Sequence, residues 1–177
     1  MILRVSQKLA KKIKETSSYS SEPLDSELLA DWSCHLFTAQ RVQYIILCNT
    51  VSFYSALFYG RGVNSYDSFV KSSLNAIREA FEEEGFENLY LEKLTESPLH
   101  LSKAHSRQVT GTINEQVHAA KYFLEDELAP WEVAERLNKN ILSVLKYGNP
   151  KEKFRELCQR AVALPDKVIP FPGPRKK

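Results

Sequence analysis

Residues 32–59 read WSCHLFTAQRVQYIILCNTVSFYSALFY, and the fold turns on how that stretch divides. It is dense in aromatic and β-branched residues, which suit the half-buried surface of a sheet. Polar breaks at residues 38–41 and at Asn49 and Thr50 cut it into three strand-length pieces. In the first, Trp32, Cys34 and Leu36 share one face and Ser33, His35 and Phe37 the other, because strand side chains alternate. The second, residues 44–48, is apolar on both faces, the pattern of a strand covered on both sides. Asparagine tolerates the left-handed backbone of a tight turn, so Asn49 leads into a third strand over 51–59 that stops at Gly60 and Gly62. This is the pattern of a central antiparallel meander.

Upstream, residues 2–5 form a short apolar strand, and Ser6 caps a helix reaching Lys14 with Leu9 and Ile13 inward. Serines and Pro23 mark residues 16–26 as a linker loop. Downstream, Asn64 or Ser65 caps a long helix buried along Tyr66, Phe69, Val70, Leu74, Ile77 and Phe81 and ended by Gly85. Residues 89–94 alternate apolar with polar and read as a further strand, and 97–106 as a loop. Helical spacing returns at Val109, Ile113, Val117, Ala120 and Leu124. It returns again at Val133, Leu137, Ile141 and Leu145, after Pro130 in a first turn, and over 151–162. The expectation is one α+β domain over residues 1–164, with a mainly antiparallel sheet built on 32–59 and four or five flanking helices. Four prolines make residues 165–177 an extended, basic tail.

The 177 residues suffice for one buried core, and a net charge of +2 is too small to imply nucleic acid or a membrane surface. Basic residues gather over 4–14 and at 175–177, where they could attract phosphate. Glu79, Glu82, Glu83, Glu84 and Glu87 form an acidic run that reads as a solvated helix face. Cys34, Cys48 and Cys158 are odd in number and lack CxxC spacing, which argues against a disulfide framework or a zinc site. No basic-then-apolar leader opens the chain and no apolar run is of membrane-spanning length. These features imply a soluble cytoplasmic domain that needs no metal or cofactor.

The polar cluster with the most chemistry is HSRQVTGTINE at 105–115. It lies at a loop-to-helix junction, where free N–H groups favour anions. Ser106 is placed to cap the helix, and Arg107 to grip a phosphate or carboxylate. Gly111 either admits a close backbone or ligand or lets the helix pack tightly on the sheet. With Asn114, these residues make a candidate binding site. In a hydrolase or nucleic-acid-processing enzyme, His105 would be the general acid/base, Arg107 would stabilise developing negative charge and Glu115 would orient. A third pattern, residues 130–148, resembles a helix-turn-helix, though Asn138, Lys139 and Asn140 stand at the turn and Lys146 is the main basic residue afterwards.

The segments MILRVSQKLAKKI, ADWSCHLF, YIILCNT, SRQVTGTINE and LNKNILSVLKYGNPKEKF resemble an uncharacterised bacterial domain-of-unknown-function family, some relatives of which accompany plasmid ORF-3-like domains. The shared markers are Trp32, Arg107, Gly111, Asn114, Asn140, Tyr147 and Pro150. The resemblance implies a fold and a prokaryotic or mobile-element setting, but no mechanism. The reading that remains is a binding module for a macromolecular partner, protein rather than nucleic acid, acting through the 105–115 junction.

Overall fold

The computed structural model describes residues 1–15, 20–95 and 97–163. Five strands, β1 (Ile2–Val5), β2 (Asp31–Ala39), β3 (Val42–Asn49), β4 (Ser55–Tyr59) and β5 (His100–Ser102), form one sheet in the order β4-β3-β2-β1-β5. Six α-helices among the described residues flank it: α1 (Gln7–Lys12), α2 (Tyr66–Glu83), α3 (Glu87–Lys93), α4 (Arg107–Glu125), α5 (Pro130–Lys139) and α6 (Pro150–Ala163). The meander is present, with β2–β3 and β3–β4 antiparallel. The sheet as a whole is mixed and not purely antiparallel, because β1 pairs parallel with both β2 and β5. A parallel neighbour needs a crossover, and the chain between β1 and β2 supplies one that carries α1. The helix count also exceeds the expected four or five.

Strand alternation puts a core on each face. Trp32, Cys34, Leu36, Ile45 and Leu47 join Leu9, Phe69, Ile77, Phe81, Leu89 and Phe154 on one side. Phe37, Tyr44, Ile46, Cys48 and Leu57 meet Ile113, Val117, Val133 and Leu137 on the other. The doubly apolar β3 is therefore sandwiched, as its pattern requires. Phe154 anchors the first core, stacking on Tyr54 at 4.5 Å and meeting Phe81 edge-on at 5.0 Å.

The turns explain the element boundaries. Gln40 and Arg41 both adopt positive φ (47° and 61°), as a two-residue hairpin of right-handed twist demands. Asn49 acts through its side chain, not through a left-handed backbone. Its Oδ1 accepts from Val51 N, Ser52 N and Ser52 Oγ, and its Nδ2 donates to the carbonyls of Leu28 and Asp31. That knot holds residues 50–54 as a turn, so β4 starts at Ser55, later than expected. Phe53 takes the left-handed conformation (φ 59°), and its carbonyl accepts from the buried Gln116 of α4.

Ser6 and Ser106 cap α1 and α4 and Pro130 opens α5, as read from the sequence, and of Asn64 and Ser65 it is Ser65 that caps α2. Two segments differ. Residues 89–94 belong to helix α3 and its cap, with Leu89, Tyr90 and Leu94 buried, and the expected loop at 97–106 contains β5. The proline-rich residues 165–177 lie outside the described residues.

Candidate functional site

The 105–115 junction forms locally as expected at its cap: Ser106 Oγ accepts from Val109 N at 3.2 Å. Arg107, Gly111, Asn114 and Glu115 recur at i, i+4, i+7 and i+8 on α4, and all four are exposed. A Cβ at Gly111 would meet nothing within 4 Å, so neither close packing nor a close backbone accounts for this glycine. His105 is half-buried before the cap, and Glu115 lies about 12 Å up the helix from Arg107 at 1.5 Å per residue. None of these residues lines either cavity described below. They make a convex polar stripe.

Residues 130–148 do not build a helix-turn-helix. After α5 the chain holds a 3-10 turn at Ser143–Leu145, left-handed Lys146 and Tyr147, and a bridge between Leu142 and Gly148. A recognition helix is thus missing from the segment, and the inward residues of α5 are committed to the second core. The basic N-terminal segment is likewise partly internal. Arg4 is buried and bidentate to Asp31, with Nε–Oδ1 and Nη2–Oδ2 both at 2.7 Å.

One concave feature is a cleft beside β4, at the sheet edge between α2 and α5. Two adjoining cavities of about 280 and 330 Å³ share Tyr54, Glu83 and Trp131. The first runs along all of β4 and is walled by Asn75, Glu79 and Glu83 of α2 and by Trp131 and Ala134 of α5. An antiparallel ladder turns alternate residues outward. Tyr54 O and Gly60 N bond to β3, which sends the main-chain groups of Ser55, Leu57 and Tyr59 away from the sheet. Asn138 of α5 closes the Ser55 end like an extra strand: Oδ1 accepts from Ser55 N at 2.6 Å and Nδ2 donates to Ser55 O at 2.9 Å. Beyond it, the outward N–H and C=O of Leu57 and Tyr59 meet no partner among the described residues.

The second cavity adds Glu84, Glu135, Asn138 and Lys151. Tyr54 donates its hydroxyl to Glu84 Oε1 at 3.0 Å and to Glu83 Oε2 at 3.3 Å. Burial pushes the Tyr54 phenol far up, and the Glu84 and Glu83 carboxylates add to it, so it stays a donor. Glu84, itself buried, also takes Lys151 at 3.2 Å and Arg155 at 2.5 Å. Glu83 has the Tyr54 bond and no cation paired with it among the described residues. Burial raises its pKa, the Tyr54 bond opposing and Glu84 reinforcing the shift. Trp131 is 62% exposed at the cleft wall.

The thiols do not contribute a nucleophile. All three are free and buried, and burial pushes Cys48 and Cys158 up to about 12. Cys34 and Cys48 lie on adjacent strands but in opposite cores. Among the described residues no group of three or more His, Cys, Asp and Glu side chains could hold a metal ion, and no helix is long and apolar enough to cross a membrane.

Sequence reasoning read the acids at 79–87 as a solvated face and passed over Trp131. The available signal was its position: a tryptophan beside, not on, the buried Val133–Leu137 stripe. The fold and cleft define a mixed-sheet α+β domain with an acidic edge cleft. The chain belongs to the family described as Domain of unknown function (DUF6933), whose model matches residues 2–153. No curated protein and no solved structure matches it.

Proposed function

We propose that this domain is a binding module, and that it receives a segment of a partner protein in the cleft between α2 and α5. One observation carries the reading: the cleft floor is the stretch of sheet edge where the main-chain donors and acceptors of Leu57 and Tyr59 have no partner among the described residues. An unpaired edge is a template for another chain, and natural domains otherwise cover or charge such edges. Asn138 already shows how a polar group satisfies this edge one residue pair earlier. The setting is the cytoplasm of a bacterial host or its mobile elements, in keeping with the family resemblance.

The exposed stripe of Arg107, Gly111 and Asn114, next to the half-buried cap Ser106, is a second contact surface of the same module. Arg107 and Asn114 point to solvent without a side-chain partner among the described residues. A hydrolase built on His105, Arg107 and Glu115 would need those groups to converge on a substrate, whereas Arg107 and Glu115 lie two turns apart on α4 and His105 precedes its cap.

Panning a random peptide library on the immobilised protein tests the assignment. Peptides retained by the wild type and by Arg107→Ala but lost on Trp131→Ala support the cleft. Loss on Arg107→Ala with retention on Trp131→Ala would move docking to α4. Turnover of a phosphoester or peptide substrate by the pure protein, abolished by Arg107→Ala without unfolding, would overturn the binding reading altogether.

A further inference from the structure

We infer that the segment bound in the cleft is extended and alternates basic with apolar residues, the basic set facing α2 and the apolar set facing α5. This rests on the cleft being the docking surface and adds the chemistry of its occupant. The whole chain is slightly basic, at +2, yet the cleft is not. Glu79, Glu83, Glu84 and Glu135 line it, against Arg61 and Lys151. Lys151 is already committed to Glu84. Glu135 is paired with Lys139 at 2.6 Å. Glu79 takes a neutral donor, Asn75 at 2.7 Å, and Glu83 takes the Tyr54 hydroxyl. Two carboxylates on one wall are therefore left without an ion-pair partner among the described residues, with Lys151 acting on Glu83 only at longer range and Arg61 at the same cavity.

The opposite wall differs in kind. Trp131 presents a largely exposed indole, and Ala134 beneath it is small and buried. A segment pairing with the main chain of Leu57 and Tyr59 continues the sheet plane, so its side chains alternate between the two walls. One set meets Glu79 and Glu83, and the other meets Trp131 and Ala134. Lysine or arginine suits the first and β-branched or aromatic residues the second. A second copy of this chain fits poorly, since antiparallel pairing through the same edge would set Glu79 and Glu83 against their own counterparts.

The test is fluorescence anisotropy with full-length protein and three labelled eight-residue peptides: alternating Lys and Val, alternating Glu and Val, and the Lys/Val peptide N-methylated at alternate residues. The Lys/Val peptide should bind about tenfold or more tighter than Glu/Val, the scale of two partly desolvated ion pairs. The doubly substituted Glu79→Lys, Glu83→Lys protein should reverse that order, and N-methylation on the ladder side should abolish binding. Both glutamates reach the surface, Glu83 partly desolvated beside Tyr54, and circular dichroism should show an unchanged fold. Equal binding of the two charge patterns, or an order unmoved by the charge reversal, overturns the inference. If panning yields Trp131-dependent peptides with no basic alternation, the cleft assignment stands and this inference falls. If no peptide of any kind binds, the cleft assignment itself falls. Two further outcomes replace the partner with another occupant. Binding that weakens as the protein is concentrated would identify a second copy. Tenfold tighter peptide binding by the Arg175→Glu, Lys176→Glu, Lys177→Glu chain would identify its own C-terminal segment.

Discussion

Two polar networks flank the sheet, and they are finished to different degrees. The first joins β1, β2 and β5. Arg4 spends its guanidinium on Asp31, on the carbonyls of Glu22, Pro23 and Lys103, and on Ser102 Oγ. Asp31 in turn accepts from Asp25 N at 3.0 Å. Nothing is left over, and both side chains of the pair are fully buried. The second network lies beside β4. Glu84 is saturated by Tyr54, Lys151 and Arg155, while Glu83, one residue earlier at the cleft, has no ion-pair partner among the described residues. A closed network holds a fold together. An open one at a concave surface has bonding capacity left for something else.

The contrast can be broken most forcefully at its closed end. Arg4→Ala leaves Asp31 charged, buried and without its cation, which costs about 3–5 kcal/mol in comparable buried pairs. Urea unfolding should show a loss of that order, with the chain failing to fold at 37 °C as a severe version of the same result. Arg4→Lys keeps the charge but not the planar fork and should fall between. A loss below about 1 kcal/mol for Arg4→Ala, on the scale of an exposed pair, would show that the network is not closed.

Asn138→Ala comes next. It strips both main-chain groups of Ser55 of their partner in a buried place, at a cost of about 1–3 kcal/mol for each group left unsatisfied. It also lengthens the free edge toward Ser55. The variant should lose stability in denaturant titration and yet gain propensity to self-associate in light scattering. Destabilisation without any new association would mean that the edge is not the adhesive element.

Glu84→Gln removes the anion that Lys151 and Arg155 share, while retaining an acceptor for Tyr54. Arg155 is half exposed, so the loss should be about 1–2 kcal/mol, less than for a dry pair. Chemical denaturation at low and high salt checks it: the wild type should lose some of this advantage in salt, and the variant should not.

How far these regions were legible in the sequence follows from how local their causes are. The three pieces of 32–59 could be read because burial on both faces of β3 writes itself into consecutive residues. Caps at Ser6, Ser65 and Ser106 could be read because a cap is decided within four positions. The parallel placement of β1 could not, since strand order is settled by a crossover and by β5, three residues that pair with β1 from about a hundred positions away. Residues 89–94 misled because Leu89 and Leu91 stand two apart as in a strand, whereas the buried residues are Leu89, Tyr90 and Leu94, a helical set packed against α2. The cleft was out of reach for the same reason as β1. Leu57, Glu79, Glu83 and Trp131 come from three separate elements, and only their meeting gives the acidic run an interior edge.

The smallest effect expected is at Glu83, and it has a sign that separates the two networks. A carboxyl whose folded pKa is raised binds more protons folded than unfolded above its ordinary range near 4.5. Its contribution is therefore favourable at low pH and is lost as pH rises through the folded value. Glu83→Gln should flatten that part of the stability profile and leave stability at pH 7 unchanged or slightly higher, within about 0.5 kcal/mol as for ordinary surface substitutions. The same variant should weaken binding of a basic peptide, since the unmatched charge is what the peptide would neutralise. Thermal unfolding between pH 4 and pH 8, run beside the anisotropy measurement, reads both. A carboxylate that weakens the fold slightly and strengthens the complex is one whose partner lies outside the chain. If Glu83→Gln instead lowers stability at pH 7 as Glu84→Gln does, then Glu83 belongs to the closed class, and the cleft beside β4 loses its charge argument.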